Sequence, residues 1–424
     1  VREALRGLTT RGRAFVGAGG AATLSAVVFG QRDLLRVALL VLVLPLVSAA
    51  TVARTRYRLS SSRRLVPARV AAGQDAHVVL RLENVSRLPT GLLLVEDRIP
   101  YVLGARPRFV LDRVEPLGTR EVDYPVRSEV RGMFTLGPLS IRLRDPFGMC
   151  ELVRAFSSRD TFVVTPVVEP LPSVAVGGEW SGTGESRARS LAAAGEDDVA
   201  TREYRQGDDL RRVHWRSTAK VGELMVRREE QPWESRAVLL LDTRATAHRG
   251  EGLGSSFEAA VSAAASIGAH LGRGGFSVHL VTDTGTRLDG AATEDPTAAQ
   301  EDLLLDGLAV VETSHNASLR PAATALRHAG DGLTVAVLGA MSPDEASELI
   351  RYRHGAGRAV AVVLDVTSWQ SKLSGGPSAP TRSEDVATVL RAAGWRVVPL
   401  HAGETLASVW PLAGHTSYDT MAAR

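Results

Sequence analysis

The hydrophobic pattern changes character along the chain, and each change predicts a different kind of element. Near the start lie apolar runs at Ala14–Phe29, rich in Gly and Ala, and at Leu34–Val52, which reads LLRVALLVLVLPLVSAATV. Only Gly30-Gln31-Arg32-Asp33 separates them. A membrane-spanning helix needs roughly 20 mostly apolar residues. The second run meets that length, and Pro45 is tolerated inside such a helix. The first run is marginal in length and apolarity. Together they predict a transmembrane hairpin, spans 14–30 and 34–53, within an anchor of residues 1–60. One span plus an interfacial segment is the alternative. A secretory signal peptide fits less well, because a second apolar run follows at once and no small-residue cleavage site precedes it.

From residue 65 to 170 the period becomes that of strands. Ala76–Leu82 (AHVVLRL) alternates as a half-buried strand does, and Leu92–Val95, Thr119–Val126, Ser140–Leu143 and Thr161–Thr165 behave similarly. Asn84, Pro89, Gly91, Pro107, Gly118, Gly132, Gly137 and Pro138 read as turns between them. Short strands over this length predict an immunoglobulin-like β-sandwich. Gly177–Ala194, within a linker or loop at 171–194, holds few large apolar groups.

The last part, residues 237–410, alternates apolar runs with helical spacing. Strands are expected at Ala237–Leu241, Phe276–Val281, Leu333–Leu338, Ala359–Leu364 and Arg396–Leu400. Helices are expected at Phe257–Leu271, Pro296–Leu308, Ser318–Ala329, Pro343–Tyr352 and Ser383–Ala393. Ser255 or Ser256 and Ser342 serve as caps, with Pro343 at a first helical position. Continuous apolar strands between helices predict a Rossmann-like, doubly wound parallel sheet. Ligands of such sheets sit beyond the carboxyl ends of the strands, where Asp242, Asp283 and Asp365 lie. Asp283 reads as a turn or cap residue. Trp369–Thr381 reads as a loop. After about Ser408 the expectations are Trp410 packed on the domain or a mobile end, with residues 411–424 as the tail.

Charge adds orientation rather than chemistry. The 424 residues carry a net charge of +3, too small to argue for nucleic-acid binding. Arg2, Arg6, Arg11 and Arg13 precede the first apolar run; Arg54, Arg56, Arg58, Arg63 and Arg64 follow the second. By the positive-inside rule both flanks are cytoplasmic, which predicts a multi-pass protein of the cell membrane with its soluble domains in the cytosol. Cys150 is the only cysteine, so an intramolecular disulfide is impossible. It reads as a small half-buried residue, and His77 as a strand-surface histidine. No phosphate-binding glycine loop follows a strand in the last domain, where Gly272–Gly275 reads as a helix C-cap, and no His-x-x-x-His or Cys-x-x-Cys pair offers a zinc site. No cofactor is expected.

Asp242-Thr243-Arg244-Ala245-Thr246 resembles the Asp-x-Ser-x-Ser metal motif of von Willebrand factor A-like domains. Asp242 and Thr246 fit that motif. Arg244 stands where it needs a hydroxyl and brings a cation able to pair with Asp242 in place of the metal. Gly339-Ala340 stands where the family has its other acidic ligand. The resemblance implies an A-like fold with a degenerate metal site, and no metal is expected.

Between the β-rich and α/β parts, residues 195–236 interleave charges of both signs with Tyr204, Trp215 and Trp233. Their REYRQGDDLRRVHWRSTAK, followed by GELMVRREE, resembles the signature of the domain of unknown function 58 (DUF58) family. The matching positions are Arg202, Tyr204, Gly207, Asp208, Arg211, His214, Trp215, Ala219, Lys220, Leu224, Val226, Arg227 and Glu229. RGMFTLGPLSIRLRDPFGM and TFVVTPVVEPLP also resemble the preceding β-domain of that family. The resemblance implies a membrane-tethered protein that partners a MoxR-type AAA+ ATPase in protein or cell-envelope assembly; it implies no defined activity.

The residues of this stretch allow an ion-pair network locking it onto the sheet, a docking face for a partner, or, with Asp208 and His214, a catalytic pair. The main expectation is a non-enzymatic scaffold or adaptor. A metal-dependent hydrolase using Asp242, Thr246 and Asp208, and a structural envelope protein, are the alternatives.

Overall fold

A computed structural model describes residues 7–54, 59–87, 89–90, 92–144, 147–174, 201–203, 215–227, 235–285, 296–327, 332–352, 358–369 and 382–414. The chain divides into two compact units, Val1–Pro166 and Val167–Arg424.

The first unit begins with helices α1 (Thr10–Phe29) and α2 (Arg32–Arg54), both long and apolar enough to cross a membrane. They start a little before the expected spans. Thr9 caps α1, its hydroxyl accepting from Gly12 N, and Gly30 ends it in a left-handed conformation. Small residues let the helices approach: a Cβ on Gly19 would lie 2.7 Å from Leu42 Cγ. Most of the apolar surface points outward, with Leu24, Val28, Phe29 and Leu40 each about two-thirds exposed or more. A helix from the core of a soluble protein would have buried these side chains.

The β-rich part follows as β1 (Leu59–Val66), β2 (Arg69–Ala71), β3 (Asp75–Asn84), β4 (Leu93–Asp97), β5 (Arg108–Leu111), β6 (Thr119–Arg127), β7 (Gly132–Leu136), β8 (Leu139–Arg144), β9 (Glu151–Ala155) and β10 (Asp160–Thr165). They form sheets of order β1-β3-β6, β2-β10-β7 and β5-β4-β8-β9. One core joins them, with Val78, Leu80, Leu82, Leu93, Val95, Ile141 and Phe162 buried.

This part starts earlier than residue 65. All eight residues of β1 pair antiparallel with β3. Within β1, Arg63 is no juxtamembrane surface charge: its side chain is 2% exposed and bonds both oxygens of buried Asp97. Its Nη1 also reaches Asp160, while the Tyr124 hydroxyl donates to Asp97 at 2.6 Å. Burial and the neighbouring carboxylate hold the Tyr124 phenol above its usual range. His77 is exposed beside Asp123, as expected, whereas Cys150 is fully buried rather than half-buried. It bridges antiparallel to Leu8.

The second unit opens with a strap. Val168, Leu171 and Val174 pack on the core of the unit, so residues 171–174 are not linker. Next come β11 (Thr201–Glu203), α3 (Trp215–Val221) and β12 (Met225–Arg227), with β11 and β12 paired antiparallel.

The α/β part holds β13 (Ser235–Leu241), α4 (Ser256–Arg273), β14 (Phe276–Thr282), α5 (Pro296–Val310), α6 (Arg320–Arg327), β15 (Leu333–Leu338), α7 (Pro343–Tyr352), β16 (Ala359–Leu364), α8 (Arg382–Ala392), β17 (Arg396–Leu400) and the short α9 (Leu406–Val409). All strand pairs are parallel, in the order β14-β13-β15-β16-β17. Alternate residues of β13 face opposite cores. Leu239 and Leu241 join α4 and α5; Val238 and Leu240 join α6, α7 and α8. Trp410 and Ala413 are fully buried in the first of these cores, so the domain runs beyond residue 410 and at least part of the expected tail is packed. Successive strands add on opposite sides of β13, which makes the β13/β15 junction the point where ligand crevices form in such sheets.

Candidate functional site

The carboxyl ends of β13, β14 and β15 converge on a buried polar network. Asp242 follows β13 and is fully buried. Arg244 folds back on it bidentately: Nε donates to Oδ1 and Nη2 to Oδ2, both at 2.9 Å. The planar fork of the guanidinium matches the carboxylate, so this is among the stronger kinds of ion pair. Gly339 N also points at Asp242 Oδ2, and Arg244 Nη2 at Ala340 O, both at 3.4 Å. The remaining guanidinium arm, Nη1, donates to Glu345 Oε1. Burial works against the charge on Arg244, but the bonds to Asp242 and Glu345 outweigh it and hold the guanidinium protonated.

Glu345 is placed by local sequence. Ser342-Pro343-Asp344-Glu345 forms a capping box at the start of α7, with Ser342 N donating to Glu345 Oε2 at 2.7 Å and Glu345 N to the Ser342 hydroxyl at 3.2 Å. Burial would raise the Glu345 carboxyl, but the Ser342 amide and Arg244 together draw it below its ordinary value.

Asp283, after β14, is more than a turn residue. It is fully buried and gathers donors from distant segments. Thr243 donates through both its amide and its hydroxyl, the Ser314 hydroxyl reaches Oδ2 at 2.5 Å, and Asn316 Nδ2 does so at 3.0 Å. Ser314 N donates to Thr243 O at 2.7 Å and Ala245 N to Ser314 O at 2.8 Å, so the segment between α5 and α6 crosses the end of β13. On the other side, Ala340 N donates to Ala247 O at 2.7 Å. A Cβ on Gly339 would lie 2.4 Å from that carbonyl, so only glycine allows the two loops to meet.

His248 completes the network. Its Nε2 lies 2.7 Å from Asp242 O, and Nδ1 lies 3.2 Å from the Ser256 hydroxyl. The Asp242 carbonyl can only accept, so Nε2 carries the ring proton; in the neutral ring Nδ1 then accepts from the Ser256 hydroxyl, which itself accepts from Arg249 N. Burial, helped by the Arg244 and Arg249 charges, lowers the His248 pKa and keeps the ring neutral.

The expected pairing of Arg244 with Asp242 is therefore found. Thr246 is different: it is exposed on the Ala245–Ala247 turn, and its carbonyl accepts from Arg249. The residues here do not suit a divalent cation. Such an ion needs several oxygens free of competing positive charge, and both Asp242 oxygens face the guanidinium. Among the described residues no cluster of three or more His, Cys, Asp or Glu side chains offers another such place. Asp365, also at a strand end, takes a turn role, accepting from the Thr367 amide and hydroxyl.

Of the signature positions, Arg202 lies on β11 opposite Val226, and Arg227 on β12 opposite Thr201. Trp215 opens α3 and is 71% exposed; Ala219 and Lys220 share that helix, and Leu224 is 40% exposed. Tyr204, Gly207, Asp208, Arg211, His214 and Glu229 lie outside the described residues, as do the ion-pair network and the Asp208–His214 pair expected among them.

Residues 200–365 match the model of a family described as protein of unknown function DUF58. The chain carries a DUF58 region. Every residue of the buried network, from Asp242 to Glu345, falls inside the DUF58 match. No curated protein sequence matches the chain. Among solved structures, the CARDB domain of a Pyrococcus furiosus protein in complex with di-metal ions is similar at 13% identity, over 26% of this chain and 90% of that one, with a TM-score of 0.20. Pseudomonas fluorescens alkylpurine DNA glycosylase AlkC, bound to DNA containing an abasic site analog, is similar at 14% identity over 32% of this chain and 39% of that one, with a TM-score of 0.19. At these TM-scores neither likeness bears on the function of the DUF58 region.

Proposed function

We propose that this protein is a membrane-anchored scaffold or adaptor with no reaction of its own, its helical hairpin inserted in the cell membrane and its soluble parts in the cytosol. In this reading the β-rich part is an immunoglobulin-like sandwich. The α/β part is a von Willebrand factor A-like domain whose metal position has been given over to Arg244. A MoxR-type AAA+ ATPase is its working partner in the assembly of other proteins or of the envelope.

One observation carries the non-enzymatic part. The crevice where this sheet type binds ligands is filled by the Arg244–Asp242–Glu345 pairing and roofed by the Ser314 and Ala247 loops. The outward apolar faces of the helices support insertion. The test is co-purification of the full chain from detergent-solubilised membranes, paired with calorimetric titration of Mg²⁺ and Mn²⁺. Recovery of a stoichiometric ATPase and no metal-binding heat is expected. Saturable metal binding with stabilisation would overturn the reading, as would isolation with no specific partner.

A further inference from the structure

The segment just before α1, Gly7–Thr9, is fastened to the β-rich part. Thr9 N donates to Met149 O at 2.9 Å, the Thr9 hydroxyl to Gly148 O at 2.8 Å, and Glu151 N to Gly7 O at 2.7 Å. Leu8 thereby forms an isolated antiparallel bridge with Cys150, just before β9. The fit is close: a Cβ on Gly12 would come within 2.3 Å of Met149 O. This clip holds residues 147–151 level with the first turn of α1, where the helix leaves the domain.

The side chains gathered there share a character. Phe147 is 55% exposed, and Phe15 and Val16, just beyond the first turn of α1, are each 38% exposed. Arg11 and Arg13 are exposed on that first turn. Neither makes an ion pair or side-chain hydrogen bond among the described residues, although an ideal Cβ on Gly148 would lie 4.0 Å from Arg11 Nη1. Among the described residues, the acid beside this segment, Glu151, is only 18% exposed and faces Arg142. At the opposite end of the hairpin Arg36 is bonded to Asp33 at 2.9 Å.

We infer that Arg11, Arg13 and Phe147 form a surface that rests on anionic phospholipid headgroups. This rests on the reading that the hairpin is inserted in a membrane, and deepens it. The surface is continuous with the apolar flank of α1, so an inserted hairpin puts it at headgroup depth. Exposed arginines that have no partner among the described residues match lipid phosphate, and an aromatic ring is stable at the boundary between headgroup and acyl chain. The clip makes Phe147 part of the anchor rather than of a swinging domain. Each arginine near an anionic surface favours association about fivefold at low salt, an effect that falls as salt rises.

The test uses the full chain in phosphatidylcholine vesicles. Phe147→Cys carries a bimane probe, the native Cys150 being buried. A minor share of nitroxide-labelled lipid, either phosphatidylglycerol or phosphatidylcholine, acts as the quencher. Quenching should be several-fold stronger with labelled phosphatidylglycerol. Arg11→Gln with Arg13→Gln should reduce that preference about fivefold or more, and high salt should do the same. Equal quenching by the two lipids would overturn the claim of an anionic surface. An unquenched probe would overturn the placement of Phe147. Alkaline carbonate extraction separates the failures: a chain that leaves the membrane refutes insertion itself, whereas a retained chain with no lipid preference refutes only this surface.

Discussion

Arg244 is the residue on which the α/β crevice depends most. Its guanidinium is the main counter-charge to Asp242, a carboxylate with no exposure to solvent. Removing one partner of such a pair strands the other charge, at a typical cost of about 3–5 kcal/mol. Arg244→Met should therefore lower unfolding stability by about that much in denaturant titration. Changing both partners, Asp242→Leu with Arg244→Met, should recover a large part of the loss, because neither charge of the pair is then left buried without the other. A double variant as weak as the sum of the single changes would show that the pair does not act as a unit. His248 sets a pH dependence of its own. Its folded pKa lies below the ordinary value of about 6.5, so the unfolded chain binds the proton more readily. Stability should thus fall as pH drops through about 6.5 toward the lowered pKa, with a slope of at most about 1.4 kcal/mol per pH unit from this group. Half-buried His270 is lowered by burial and by Arg273, and it adds in the same direction. His248→Gln should flatten the profile between about pH 7 and 5 in thermal melts. An unchanged profile would place the titration elsewhere.

At the scale of elements, the fold is most legible where both faces of a strand are covered. Leu333–Leu338 is apolar apart from Thr334 and Ala359–Leu364 is apolar throughout; both are buried in the sheet, and their ends coincide with the sequence pattern. β1 was obscured because LSSSRRLV places a buried arginine at an inward position, a residue that reads as surface until Asp97 is known to face it. β7 begins at Gly132, which reads as a turn. The site divides in the same way. Asp242 and Arg244 are two residues apart, so their pairing is written locally. Asp283, Ser314 and Asn316 meet only because β14 lies beside β13 and the α5–α6 segment crosses its end, and no local pattern carries that. The helical hairpin depends on a local feature with a long-range effect. Gly19→Leu would force side-chain atoms into the space held by Leu42, with even the Cβ 2.7 Å from its Cγ. The helices should separate, reducing disulfide trapping of cysteines placed across the pair relative to the unmodified hairpin. Undiminished trapping would show that close approach at Gly19 is not required.

At the scale of the whole molecule, the division after Pro166 makes a claim about independent folding. The second unit owns an apolar core on each face of its sheet, and the strap of Val168, Leu171 and Val174 belongs to one of them. Glu169 fastens that strap through both backbone and side chain: its amide donates to the Ser266 hydroxyl at 2.9 Å, and its carboxylate accepts from Ala407 N at 3.2 Å. The Ser262 hydroxyl adds a bond to Val167 O at 2.7 Å. A fragment of residues 167–424 should therefore fold without the hairpin and the β-rich part, and keep both the Arg244 dependence and the acid sensitivity of the full chain. A fragment starting at residue 175 loses three part-buried apolar side chains and those hydrogen bonds, a loss of about 2 kcal/mol or more. For a domain of this size that lowers the melting temperature by several degrees. Calorimetry on the two fragments decides the point. Equal melting temperatures would return the strap to the status of a linker. A longer fragment that does not fold would mean that the second unit depends on the first for its stability.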